Sequence, residues 1–273
     1  AEGHGVTFAA GLATRGVRPI VAIYSTFLQR AFDNIVHDVA LQDLPVVFGM
    51  DRAGIAGEDG PTHHGAFDIS YMLTIPNMTV TAGKDGTEML GLLRAGIDHL
   101  SGPFSLRWPR ASVPSEVGSV ADIEAVPYGT WEVLRRGDDL AILAVGTMVL
   151  PALEAAERMA EQGVSATVVN CRYLKPYDRE VFAEVVRHHP AILTIEEGAV
   201  VNGFGAFMVR EIAETFPDRG VRVHTLGLPD AFIDHGAREG LLEELGLDVA
   251  GIERAGLEVA QDRGVVTSTR ESA

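Results

Sequence analysis

The chain has 273 residues and a mass of 29.2 kDa, with 47% apolar and 22% charged side chains. That is enough apolar surface for a sizeable core, and it excludes a disordered or fibrous chain. Thirty-eight acidic residues against 22 basic ones leave a formal charge of −16, which repels phosphate backbones and anionic lipid. Nucleic-acid and membrane-surface partners are therefore disfavoured. A small phosphorylated molecule is not, because a few arginines can set the field inside one cleft.

Alternating strand and helix patterns run from end to end. Val6–Arg15 is alanine-rich and helical, with Gly16 as its C-cap. Pro19–Tyr24 is a short apolar run of the buried-strand kind. Phe27–Leu41 then sets Leu28, Ala31, Ile35, Val36 and Val39 at helical spacing. Pro45–Met50 reads as a second buried strand, ahead of a glycine-rich loop, Asp51–Gly65. Met78–Ala82 and Phe104–Trp108 read as strands, with a helix over Gly86–Leu100 between them.

Residues 112–127 lose this rhythm and carry serine, proline, glycine and acids, as a linker between domains does. Beyond it come strand Leu140–Val145, helix Leu150–Gln162, strand Ala166–Asn170 and helix Asp178–His188. Strand Ala191–Ile195, helix Phe207–Phe216 and strand Val221–Thr225 follow. Strands separated by helices of this length imply right-handed crossovers and mostly parallel sheets. The expected fold class is α/β, with two domains, each a mostly parallel sheet flanked by helices. The divisions are 1–111, a linker over 112–127, 128–262, and a polar tail over 263–273.

Cys171 is the only cysteine, so an internal disulfide is impossible, and nothing beside it would depress its pKa; it reads as buried. The most apolar stretch, Leu140–Leu153, is broken by Gly146, Thr147 and Pro151 and is too short to span a bilayer. No signal-peptide pattern is visible, and a cytoplasmic address is expected. The sequence opens at Ala1 without a methionine, directly in a helical pattern, which reads as a chain cut at its start.

In open parallel sheets, ligands bind at the carboxyl ends of strands. The Asp51–Gly65 loop lies there and gathers glycines, Arg52, Glu58, Asp59, His63 and His64. Glycines let a backbone approach a ligand, and a histidine moves protons near neutral pH. The plain alternative is a polar surface loop. Tyr24–Arg30 also follows a strand, although Ser25 and Thr26 read equally well as N-caps and Phe27 as core. Arg107 and Arg110 flank Trp108-Pro109 at another strand end, where guanidinium groups can hold a phosphate. Glu2 alone reads as a first-turn carboxylate favoured by the helix dipole. Gly198–Gly205 lacks the spacing of a dinucleotide loop, and Asp230, Asp234 and His235 lack metal-ligand spacing.

Taken together, Ala1-Glu2-x-His4, Tyr24-Ser25-Thr26-Phe27-Leu28-Gln29-Arg30, Asp51–Gly65, Trp108-Pro109-Arg110, Glu196-Glu197-Gly198 and Gly227-Leu228-Pro229-Asp230 resemble the 1-deoxy-D-xylulose-5-phosphate synthase family. These are thiamine-diphosphate enzymes of the transketolase superfamily, and the resemblance runs to about residue 260. It implies a pyrimidine-binding domain with its opening strands missing, followed by a transketolase C-terminal domain. The family's diphosphate- and magnesium-binding domain would be absent, and no metal ligand is expected in this stretch. The implied reaction joins pyruvate and glyceraldehyde 3-phosphate with loss of carbon dioxide, supplying isoprenoid, thiamine and pyridoxal precursors.

The resemblance assigns Glu2 to the cofactor's pyrimidine N1′, with a pKa raised in an apolar cleft. It stacks Phe27 on the pyrimidine and lines the cleft with Tyr24 and Arg30. Arg52 and Arg110 would hold the aldehyde's phosphate. Asp59 and His63 would sit by its hydroxyl and carbonyl, with His63 as general acid–base. Implied partners are a second copy in a homodimer and an N-terminal diphosphate-binding domain or subunit. Gly3, Gly5, Trp108 and Ala111 depart from the family pattern, and the two glycines would loosen the helix bearing Glu2. Alternatives are another split transketolase-like or 2-oxoacid dehydrogenase β-type subunit, or a catalytically silent dimerisation or regulatory module.

Overall fold

The apolar runs of the first half assemble as parallel strands: β1 (Ile20–Tyr24), β2 (Val47–Asp51), β3 (Thr79–Ala82) and β4 (Phe104–Arg107), in the order β1-β2-β4-β3. They come from a computed structural model, which describes residues 1–99, 101–113, 117 and 119–261. β3 and β4 are buried along their whole length, as a sheet covered on both faces requires. The helices are α1 (Glu2–Ala13), α4 (Asp68–Thr74) and α5 (Gly86–Asp98), the last capped by Asp85, whose side chain accepts the Glu88 amide at 2.8 Å. α4 had no counterpart in the sequence reading.

The helix expected over Phe27–Leu41 is a chain of short turns instead. α2 (Ser25–Leu28) passes into a 3₁₀ turn (Gln29–Ala31), then α3 (Phe32–Asn34) and a π turn (Ile35–Ala40). Leu28, Ala31, Ile35 and Val39 are nonetheless all fully buried. The apolar face read from the spacing is therefore kept although the winding changes along it. The break begins at the carboxyl end of β1.

The second half builds its own sheet in the order β10-β9-β6-β7-β5. Its strands are β5 (Glu132–Arg135), β6 (Leu140–Ala144), β7 (Ala166–Asn170), β9 (Ala191–Ala199) and β10 (Arg222–Leu228). All pair in parallel except β5, which closes one edge antiparallel to β7. Helices α6 (Val149–Glu161), α7 (Arg179–His188), α8 (Phe204–Thr215), α9 (Arg238–Glu244) and α10 (Val249–Gln261) complete it. β5, α9 and α10 were not anticipated. The expected tail and part of the expected linker lie outside the described residues. Among the described residues, no helix is long and apolar enough to cross a membrane.

The fold is thus two domains with mixed, mostly parallel sheets flanked by helices. A short strand, β8 (Tyr173–Lys175), leaves the second half and pairs antiparallel with β3, finishing the first sheet. One apolar cluster accordingly runs from Val6 and Phe48 through Phe104 to Tyr173, Phe182 and Phe204. Cys171 is buried here, and burial raises its thiol well above the usual range.

Charged groups are also buried at this junction. Arg107, at the end of β4, donates to Asp68 at the start of α4 through Nε (2.8 Å) and Nη2 (3.2 Å). The same Nη2 reaches the carbonyl oxygen of Glu197 on β9 at 2.9 Å. Next to Glu197, Glu196 accepts the backbone amides of Phe204 and Gly205 at 2.9 and 2.8 Å, capping α8 with a carboxylate. Burial pushes the Glu196 carboxyl up to about 7, against the pull of those amides and of Arg107.

Removing one partner of a buried pair strands the other's charge. Asp68→Ala is expected to lower the stability of the chain by about 3–5 kcal/mol in urea unfolding; a loss near zero would show that Arg107 finds its compensation elsewhere. Glu196 gives a second prediction. A carboxyl whose folded pKa is raised stabilises the fold most below its unfolded value, and this contribution fades as pH climbs through about 7. Relative to Glu196→Gln, the wild-type chain should therefore lose on the order of 3 kcal/mol between pH 4.5 and 7. Parallel stability curves for the two proteins would refute it.

Candidate functional site

The strands β1, β2 and β4 end side by side, and their following residues meet. β2 gives way at Asp51 to Arg52, whose φ of +56° is left-handed and uncommon for a side chain of this size. The loop closes on itself where Gly54 and Gly65 exchange two backbone hydrogen bonds of 2.8 Å. A Cβ at Gly65 would stand 2.5 Å from the Arg52 carbonyl oxygen and 2.6 Å from Ser25 Oγ, so only glycine allows this closure. Ala53 donates its amide to the Trp108 carbonyl at 3.0 Å, which joins the loop to the end of β4.

Two arginines converge on one carboxylate. Asp59 Oδ2 pairs with Arg52 Nη1 and, at 3.0 Å, with Arg110 Nη1. Arg52 also lies over the Tyr24 ring, 4.2 Å from its centroid. Tyr24 stacks on Phe27 with centroids 5.6 Å apart, and Arg30 lies 5.0 Å above the Phe27 ring. Arg30 in turn reaches Glu2 Oε1 at 3.4 Å. His63 meets Phe27 edge-on at 5.2 Å, and its Nδ1 is engaged by the Thr62 hydroxyl at 2.9 Å. Glu2, Tyr24, Phe27, Arg30, Arg52, Asp59, His63 and Arg110 therefore form one continuous array of contacts on the strand ends. Cation–π contact lets the arginines rest on aromatic faces instead of being neutralised one for one. The array is open: the side chains of Arg30 and Arg110 are 62% and 48% exposed.

Two expectations change, and two departures from the family pattern have packing explanations. The Glu2 carboxyl is not raised by an apolar cleft; it is lowered, first by its own backbone amide and also by Arg30. Arg107, paired in the sequence with Arg110 as a phosphate candidate, is buried and committed to Asp68. Gly3 has a packing reason, since a Cβ there would come 2.8 Å from Asn34 Oδ1 where α1 passes α3. For Trp108 the reason is similar: its ring lies on Gly49, where a Cβ would come within 2.7 Å. Among the described residues no group of three or more His, Cys, Asp or Glu side chains could hold a metal ion.

Other residues matter more than the sequence suggested. His64 is buried; its Nδ1 accepts the Ala56 amide at 2.9 Å, which places the ring proton on Nε2, facing the Asp234 carbonyl at 3.2 Å. Glu197 accepts the Ile55 amide at 2.6 Å and both η nitrogens of Arg238 at 2.5 and 2.7 Å. Two adjacent acids inside the apolar run of β9 were the available signal for Glu196 and Glu197. Nothing in the sequence marks Arg238.

Known protein families match both halves: the transketolase pyrimidine binding domain over residues 1–116, and the transketolase C-terminal domain over residues 129–252. Curated relatives include 1-deoxy-D-xylulose-5-phosphate synthase 1 of Geobacter sulfurreducens and the synthase of Gloeobacter violaceus. Each is 49% identical, over 93% of this chain and 40% of its own length. The chain thus spans about 40% of the length of the curated relatives it matches. A solved split-gene transketolase, described as an inactive β4 tetramer, superposes with a TM-score of 0.84 at 32% identity, over 95% of this chain and 82% of its own. A transketolase mutant from Pichia stipitis shares the fold, with a TM-score of 0.71 at 21% identity over 88% of this chain and 34% of that one. With both domains matched and a near full-length structural relative at 32% identity, the chain belongs to the transketolase superfamily, in which it is similar to the pyrimidine-binding and C-terminal regions of the 1-deoxy-D-xylulose-5-phosphate synthases.

Proposed function

We propose that this chain supplies the pyrimidine-binding and C-terminal domains of a 1-deoxy-D-xylulose-5-phosphate synthase, a transferase that uses thiamine diphosphate. The observation that carries this reading is the unbroken array from Glu2 to Arg110, seen in a chain about half identical to curated synthases. In the overall reaction pyruvate loses its carboxyl carbon as carbon dioxide. The remaining two-carbon unit forms a carbon–carbon bond to the aldehyde carbon of glyceraldehyde 3-phosphate, giving a precursor for isoprenoids, thiamine and pyridoxal.

The residues fit the pyrimidine half of such a cofactor. Phe27 offers a partly exposed aromatic face, and Glu2 a carboxylate joined to it through Arg30. Thiamine diphosphate, when bound, supplies the electron sink that two-carbon transfer needs. Glu2 would hold the proton shared with pyrimidine N1′, with Arg30 in contact with its carboxyl. Arg52 and Arg110, already drawn together by Asp59, would take the acceptor's phosphate as a two-guanidinium clamp. With Nδ1 of His63 turned to Thr62, Nε2 is left to move a proton at the acceptor's carbonyl oxygen. Asp59 would then accept the acceptor's hydroxyl.

The diphosphate and its magnesium would be held by a separate N-terminal domain or subunit, and the working assembly would be a homodimer. Phe8, Phe67 and Phe232 are 61%, 43% and 86% exposed, apolar surface that such an assembly could cover. The TM-score of 0.84 at 32% identity to the split-gene transketolase favours a second reading, a transketolase-like activity with a different donor. Donor choice separates the two readings.

The test combines the chain with the N-terminal half of the Geobacter sulfurreducens relative, thiamine diphosphate and magnesium. Carbon dioxide should be released from pyruvate in step with 1-deoxy-D-xylulose 5-phosphate. Glu2→Ala should cut turnover by about 10²–10⁴-fold, the usual weight of a positioned proton-transfer group. Turnover from a ketose phosphate but not from pyruvate would favour the second reading, and unchanged turnover in Glu2→Ala would remove its catalytic role. Arg52→Ala and Arg110→Ala should each raise KM for glyceraldehyde 3-phosphate about 10- to 100-fold, the worth of a charged hydrogen bond, with KM for pyruvate unchanged. An equal rise for both substrates would remove the clamp.

A further inference from the structure

The loop that carries Arg52, Asp59 and His63 is held from the far side by the second domain, and the hold is concentrated at Ile55. Its side chain is fully buried in the apolar cluster of the second domain, with Leu140, Ile142 and Leu193. Its amide donates to Glu197 Oε1 at 2.6 Å, and its carbonyl accepts Arg238 Nη1 at 3.4 Å. Glu197 and Arg238 therefore grip both backbone polar atoms of one residue. They are themselves locked by a two-point ion pair, and the Thr147 hydroxyl donates to Glu197 Oε2 at 2.8 Å. Ile55 lies three residues after Arg52 and four before Asp59, so its position fixes where the two ends of the arginine–carboxylate array can stand.

The fit leaves little slack. A Cβ at Gly54 would collide with the Glu197 carboxylate, so the backbone lies directly against it. Further along, the Gly236 amide donates to the Gly57 carbonyl at 3.4 Å, and Gly60 packs on His235. Glu197 is 1% exposed, and no described contact takes its carboxylate to Tyr24, Phe27 or Glu2. A buried charge with four donors, one of them the Ile55 amide of the loop, orients that backbone more strongly than apolar packing alone, because displacing the loop leaves part of the charge unsatisfied.

We propose that Glu197 and Arg238 are positioning residues: they set the separation of Arg52 and Arg110 through Ile55, and so determine how well the site holds a phosphorylated acceptor relative to an uncharged one. The substrate part of this rests on the proposed synthase activity; the loop-positioning part does not.

Two measurements on Glu197→Gln and Arg238→Gln test it. In the chain alone, amide hydrogen exchange should quicken about tenfold or more in residues 52–60 and stay at the wild-type rate in 140–144. In the enzyme assembled with its diphosphate-binding half, KM for glyceraldehyde 3-phosphate should rise about tenfold. KM for pyruvate should stay within about twofold of wild type, and kcat/KM should fall several-fold less for unphosphorylated glyceraldehyde than for glyceraldehyde 3-phosphate. Arg238→Lys, which keeps one donor to Glu197, should recover part of the loss. A purely structural role predicts otherwise: faster exchange throughout the chain and equal losses with both aldehydes, and that result would overturn the proposal. So would wild-type exchange in residues 52–60. Should Glu197→Gln not fold, Arg238→Gln, at a partly exposed position, decides the question. Failure of the wild-type assembly to make product would sink the synthase reading, and the exchange result would still decide whether the loop is held from the second domain.

Discussion

One guanidinium holds the molecule's parts in register. Arg107 leaves the carboxyl end of β4 almost wholly buried and meets Asp68 at the start of α4, the Glu197 carbonyl on β9 and, at 3.5 Å, the Gly65 carbonyl at the end of the loop. A charge in that position cannot stay in an apolar interior without close partners. Arg107 stands on the first sheet and its partners come from α4, the second sheet and the loop, so satisfying the charge fixes their relative placement. Arginine suits the task because its planar fork spreads several donors over a fixed geometry that a lysine could not match. The glycine-rich loop is thereby closed at its far end by the same group that joins the two domains.

Around this fixed point, charge is handled in two ways. At the domain junction the buried charges are paired: Arg107 with Asp68, and Glu197 with Arg238 and Thr147. On the strand ends, Arg30 and Arg52 rest on the rings of Phe27 and Tyr24, and Asp59 is shared between Arg52 and Arg110. That leaves a positive, half-solvated surface on a chain whose net charge is −16. The local arrangement of a few groups outweighs the average field at such short range. An arriving anion would meet guanidinium groups held by weak, exchangeable contacts, whereas the buried pairs stay fixed.

The two domains also depend on each other for closure. β8 covers the edge of the first sheet, and Ile55 from the first domain fills a place in the core of the second. An exposed strand edge or an empty core site would each be unfavourable, and each domain removes the other's. This mutual completion makes the loop's geometry a property of the whole chain and not of its own residues.

Short-range pattern alone was enough for much of this. Apolar runs such as Val47–Asp51 and Leu140–Ala144 read as buried strands because parallel strands covered on both faces have no alternation to hide. The clustering of Tyr24–Arg30, Asp51–Gly65 and Arg110 at strand ends followed from the topology rule for open sheets, and the motifs themselves carried the family resemblance. What local sequence could not contain was anything settled by partners distant along the chain. A three-residue strand such as β8 has no period to detect, and the spacing of Ile35 and Val39 does not distinguish the π turn after Asn34 from an α-helix. Arg107 and Arg110 look alike in sequence; one is buried against Asp68 and the other exposed beside Asp59. Glu2 was expected to be raised by burial and is lowered by neighbouring donors and charge. The sequence by itself determined the α/β layering, the family and the residue types at the strand ends, since these depend on periodicity and composition. Which charges are buried, and what grips the loop at Ile55, only the tertiary structure decided, because burial and pairing are relations between residues as far apart as Ile55 and Arg238.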